Sequence, residues 1–160
     1  PIELLRSTLL DQGYKDWANE TRANCLDLLF SEMIEPNLPG GLVTVVDYPA
    51  CQAVLAQTYV DEKNRLVSRR FEVFLEGMEL ANGYFELRDA EQQKQRFDED
   101  LRLRKQANKS EITLNENLHQ AMRAGLPVCS GVALGVDRLL MQLCNVSSID
   151  EVLAFPWKQC

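Results

Sequence analysis

RFEVFLEGMELANGYFEL, residues 70–87, consists of two apolar-rich arms on either side of Glu76-Gly77. A two-residue connection containing Gly between β-prone runs predicts a hairpin. With that loop, Leu75 faces Met78, Phe74 faces Glu79 and Glu72 faces Ala81, so Glu72 and Glu79 share one face as a diagonal cross-strand pair. Such neighbours lie about 7–8 Å apart. Like charges gain nothing from each other at that distance, but both reach one divalent cation or a metal-bound phosphate between them, because hard cations take carboxylate oxygens.

Further along the same arm, Asn82, Tyr84 and Glu86 recur at period two, on the face opposite Glu79 if alternation is strict. A bulge at Asn82-Gly83, where Gly tolerates φ > 0, would bring them to the face of Glu79. An amide, an aromatic ring and a carboxylate in a row suit a ligand with a cationic end, held by cation–π contact and a charge-assisted hydrogen bond. The plain structural alternative is an edge hairpin with solvated glutamates and a core tyrosine.

At 160 residues, with 46% hydrophobic and 26% charged residues, the chain is long enough and apolar enough to bury a core as a single domain over 1–160. A net charge of −7 argues against a broad nucleic-acid-binding face. The five cysteines are widely spaced and include no C-x-x-C pair, so they predict free thiols in a cytosolic protein rather than a zinc or disulfide framework. No apolar run approaches a membrane span.

Helices are predicted over residues 2–12, ending at Gly13, and from Glu20 to about Glu35, with Thr21 as cap and Pro36 as stop. Residues 42–48, LVTVVDY, read as a strand after the Pro39-Gly40-Gly41 turn. The polar segment 61–68 reads as a loop or strand approach. Residues 89–109 predict a surface helix capped by Asp89 with a solvated charged face, and a further helix starts at Thr113 or Asn115 and runs through Ala124. His119, the sole histidine, has no second His, Cys or paired acid nearby in sequence, so no Ser/His/Asp or Cys/His arrangement follows from it and no general-base role is assigned to it. Residues 130–143, SGVALGVDRLLMQL, read as a strand passing into a helix near Asp137. There Gly131 and Gly135 let a flat ligand approach the backbone, and Arg138 can reach an anion. The stretch is neither a P-loop nor a G-x-G-x-x-G fingerprint. SSIDEVLAFPW, residues 147–157, predicts a short helix and a last strand.

Taken together, RFEVFLEGMELANGYFEL resembles the metal- and lysine-binding segment of class II lysyl-tRNA synthetases, and GVALGVDRL resembles their third signature motif. EVLAFPW resembles the end of that catalytic domain. YPACQAVLAQ and Ala133 are most similar to the GenX/PoxA group, the synthetase paralogues that modify elongation factor P. The resemblance implies an α+β fold, an antiparallel sheet flanked by helices, corresponding to the C-terminal part of a class II catalytic domain. Motifs one and two, with the dimer-forming element and an ATP-gripping arginine, would lie upstream of residue 1. A chain without them is expected to be inactive alone, and the full-length parent to be a homodimer.

Residue by residue, the resemblance implies that Glu72 and Glu79 hold Mg2+, with Glu79, Leu80, Gly131, Gly135 and Arg138 at ATP and Arg138 as the catalytic cation. Asn82, Tyr84, Glu86 and Ala133 would bind lysine or β-lysine, with Glu86 on the substrate amino group. The implied activity is ATP-dependent activation of lysine or β-lysine as an adenylate and its transfer to a lysine of elongation factor P, in the cytoplasm, with no membrane partner and tRNA not expected as one. A lysyl-tRNA synthetase fragment and a binding module without catalysis are the alternatives. Ala133 stands where lysyl-tRNA synthetases have Gly. One methyl in a pocket wall discriminates by about 1–3 kcal/mol, enough to change preference among lysine isomers but not to create a new reaction.

Overall fold

The computed structural model describes residues 1–17, 19–110 and 112–159. Helices α1 (Ile2–Asp11), α2 (Arg22–Leu29), α3 (Ala90–Gln106), α4 (Glu116–Ala124) and α5 (Val136–Cys144) accompany strands β1 (Leu42–Pro49), β2 (Thr58–Val60), β3 (Leu66–Leu75), β4 (Met78–Phe85) and β5 (Ser130–Leu134). The strands form an antiparallel sheet of order β1-β3-β4-β5, with β2 paired to β3. This is the α+β architecture that the resemblance implied, an antiparallel sheet with flanking helices.

The chain divides into two compact units. One comprises residues 1–46, 72–82 and 133–160, and the other residues 47–71 and 83–132. In the first, the Thr21 hydroxyl accepts from the Asn24 N–H and caps α2. The helix expected through residue 35 does not continue as an α-helix. Phe30–Ile34 form a π turn and Glu35–Asn37 a 3₁₀ turn, and Pro36, which has no N–H, cannot extend an α-helical ladder past it. Phe30 packs on the buried Phe74 of β3, ring centroids 6.0 Å apart.

The β3–β4 turn is Glu76-Gly77, both with positive φ (49° and 79°), the backbone that a two-residue hairpin of right-handed twist demands. Glu76 is tied down there. Its N–H donates to the Gly41 carbonyl at 3.1 Å and its Oε1 accepts from the Gly41 N–H at 3.0 Å. At the far end of this unit, Ile149–Glu151 make one 3₁₀ turn with a Ser148/Glu151 capping box. The last strand expected after it does not form: Phe155 and Trp157 are exposed, so these residues gain no burial that would favour an extended pairing.

In the second unit, the polar segment 61–68 is a tight turn that leads into β3 at Leu66. The Asp61 carboxylate accepts from the N–H groups of Lys63 and Arg65, and Asn64 takes positive φ, so β2 and β3 pair from Val60 and Leu66 onward. Asp89 caps α3 through the N–H groups of Glu91 and Gln92, and Asn115 caps α4. The Arg96 guanidinium on α3 donates to the carbonyls of Val54 and Ala56, and its burial lowers its pKa from the ordinary arginine range. Cys25, Cys51, Cys129 and Cys144 are free thiols, and Cys160 lies outside the described residues. Among the described residues no helix is long and apolar enough to cross a membrane.

Candidate active site

Within the first unit, the β3–β4 hairpin presents two carboxylates of different character. Glu72 is buried, 8% exposed, and its Oε1 accepts from the Asn82 Nδ2 at 2.9 Å. Glu79 is half-exposed and meets Arg138 of α5: the guanidinium donates to the Glu79 carbonyl at 2.8 Å and lies 3.3 Å from its Oε2. Gly135 precedes α5, and its N–H donates to the carbonyl of buried Leu80 at 2.8 Å, which fixes the helix start against β4. Ala133 is exposed on β5.

The Glu72–Asn82 bond decides how β4 alternates. With Leu75 opposite Met78, strict alternation would put these two side chains on opposite faces of the hairpin; their hydrogen bond places them on one. The alternation therefore resets between the turn and Asn82, where adjacent Leu80 and Ala81 are both buried. This is earlier than the Asn82-Gly83 bulge expected from sequence. Nor does Gly83 supply a positive φ, which among the described glycines belongs to Gly13, Gly41, Gly77 and Gly125. Gly83 is required for room instead. Within the second unit a Cβ there would enter the Phe71 ring and stand 2.8 Å from the Gly131 carbonyl. Gly83→Ala is expected to destabilise the protein by about 1–3 kcal/mol, the range for overpacking a filled site. A urea midpoint unchanged from wild type would show that Phe71 yields without cost.

Also in the second unit, the Glu86 backbone is held on both sides. Its N–H donates to the Cys129 carbonyl at 3.1 Å and its own carbonyl accepts from the Gln57 Nε2 at 3.1 Å. Its carboxylate lies against Gly131, so that a Cβ on that residue would collide with Glu86 Oε1. Gly131, read from sequence as a nucleotide contact, is thus also the surface on which this carboxylate rests. Tyr84 is half-buried.

Sequence reading missed Glu35. It ends the π turn and, with Glu76, Met78, Glu79, Arg138 and Met141, lines a cavity of about 580 Å³ in the first unit. Its burial raises the carboxyl above its ordinary pKa, helped by the charges of Glu79 and Glu72 and opposed by Arg138. Nothing local marked it, since a Glu before Pro reads only as a helix end.

Among the described residues no three His, Cys, Asp or Glu side chains are grouped to hold a metal. Two oxygen-donor carboxylates without a third suit Mg2+, which is held through one or two carboxylates and completes its octahedron with water and phosphate oxygens. The donor set fits that ion and does not make an all-protein cage.

The family model for tRNA synthetases class II (D, K and N) matches residues 31–159. The chain belongs to that family. A protein of Haemophilus ducreyi named elongation factor P--(R)-beta-lysine ligase is 41% identical over 160 residues, covering 97% of this chain and 48% of that protein. Another of the same name from Mannheimia succiniciproducens is 44% identical over 138 residues, 86% of this chain and 42% of that protein. The chain spans about half the length of the curated relatives it matches. In this class II synthetase chain the stretch 130–143 forms β5 and most of α5, and the stretch 70–87 contains the β3–β4 hairpin turn and β4.

Proposed function

We propose that the intact protein is an ATP-dependent ligase that activates lysine or β-lysine as an adenylate and transfers the acyl group to a lysine of elongation factor P; the names of the two relatives, which give elongation factor P and (R)-beta-lysine, support the acceptor and the acyl group. The observation that carries this reading is on Asn82. Its Oδ1 is buried and without a hydrogen-bond partner among the described residues, while its Nδ2 is committed to Glu72. A buried acceptor left open costs about 1–3 kcal/mol, and a substrate ammonium would satisfy it.

Glu72 and Glu79 are the residues that would hold Mg2+, whose charge, when bound, offsets that of the ATP phosphates. Arg138 would contribute a fixed cation to the same phosphates; to do so it must leave Glu79, and an exposed pair of this kind is worth only about 0–1 kcal/mol. Leu80, Gly131 and Gly135 would face the nucleotide through backbone. Tyr84 and Glu86 would take the amino end of the substrate, and Ala133 would trim its pocket. None of these groups is a nucleophile. The chain's part is to bind, orient and balance charge. The intact protein would act as a homodimer in the cytoplasm.

The deciding experiment offers the intact protein ATP, β-lysine or lysine, elongation factor P and tRNA together. Acylation of a lysine of elongation factor P, seen by mass spectrometry, with tRNA uncharged is the expected result. Charged tRNA with unmodified elongation factor P would assign the chain to a lysyl-tRNA synthetase instead.

A further inference from the structure

We infer that Asn82 is a positioning residue for the cation-holding carboxylate Glu72, in addition to any contact it makes with the amino acid; this rests on the metal reading proposed above. A carboxylate only accepts, so the amide orientation is fixed by chemistry: the atom facing Glu72 Oε1 at 2.9 Å must be Nδ2. The bond crosses from β4 to β3 and is charge-assisted, hence stronger than a neutral one. It constrains the terminal torsion of a buried carboxylate, a torsion that is intrinsically broad.

The donor from Asn82 is a neutral amide, whereas the Arg138 guanidinium beside Glu79 is charged. A carboxylate oxygen has two lone pairs, so one N–H does not fill it. The reset of alternation in β4 is what makes this contact, because an unbroken strand would send Asn82 to the other face. The amide of Asn82 thus has its N–H on the carboxylate, while its Oδ1 is buried with no hydrogen-bond partner among the described residues.

Binding to substrate alone and positioning of Glu72 differ in one measurable respect, the affinity for cation when no substrate is present. The test is a Mn2+ titration of the intact protein followed by electron paramagnetic resonance, with ATP and amino acid omitted. Loss of a residue that orients a metal ligand typically weakens metal binding about 10–100-fold. Asn82→Leu, which replaces the amide by a larger apolar side chain, and Asn82→Ala, which truncates it, are each expected to weaken Mn2+ by at least about tenfold, and Glu72→Gln by at least as much. Because the two Asn82 variants disturb packing in opposite senses, the one that retains wild-type melting is decisive. Wild-type Mn2+ affinity in that variant, with binding lost in Glu72→Gln, overturns the positioning role and leaves the metal reading standing. Wild-type affinity in Glu72→Gln overturns the metal reading and this inference with it.

Discussion

Glu72→Gln in the intact protein is expected to lower the rate of ATP–pyrophosphate exchange at least about a hundredfold, the order lost when one preorganised charge-stabilising group is removed from an active site. The substitution keeps shape and an oxygen that can still accept from Asn82 Nδ2, so the hairpin contact survives while the negative charge does not. Excess Mg2+ should recover part of the rate, because the defect is in cation affinity. Glu79→Gln should behave alike in exchange, and it should cost little stability: its Arg138 partner is half-exposed, and pairs of that kind contribute about 0–1 kcal/mol. Exchange unchanged in both variants would remove the metal assignment. A loss that no concentration of Mg2+ relieves, accompanied by a lowered melting temperature, would make Glu72 a structural residue.

The second large effect is expected at Glu86. The amino end of a lysine-like substrate leaves water on binding, and burying an ammonium without a counter-ion costs several kcal/mol. Glu86→Gln retains an acceptor and nearly the same volume, so lost affinity reports charge rather than shape. Binding of lysine or β-lysine should weaken at least about tenfold, or about 1.4 kcal/mol, with ATP binding little changed. Titration calorimetry with each ligand separately checks both halves. The Glu86 backbone is pinned to Cys129 and Gln57, so the side chain cannot recover by a shift of the strand. Gly131→Ala offers a companion without a change of charge, since the added methyl takes the place of the carboxylate oxygen and must push it aside. Equal weakening of ATP and amino acid in Glu86→Gln would mean that the site had collapsed and that Glu86 is no specific counter-ion.

Much of this was written locally. The β3–β4 hairpin was legible because Glu76-Gly77 interrupts two runs of β-prone residues, and the two positive φ values there follow from the turn alone. The caps at Thr21, Asp89 and Asn115 were legible for the same reason, since a side-chain oxygen and the N–H groups it serves lie within three residues of each other. The π turn at Phe30–Ile34 was not, because the i+5 ladder competes closely with the α-helix and the packing of Phe30 on Phe74, 44 positions away, is part of its setting. The last strand failed for a related reason: an apolar run extends only if something covers it, and no local pattern states that.

The sequence by itself determined the two carboxylates, the polar row after them, the motif-three stretch and, through these, the family, because residue type and spacing carry that information. The tertiary structure decided which of those groups meet. Asn82 donates to Glu72, Arg138 rests on Glu79, Glu35 joins the cavity from a distant turn, and Gly83 and Gly131 are glycines for the side chains that approach them. Spacing along a strand fixes a side chain's face only while alternation is unbroken. A single reset inside β4 reverses every face after it, and whether it occurs depends on the packing of both sides of the sheet, which no local window contains.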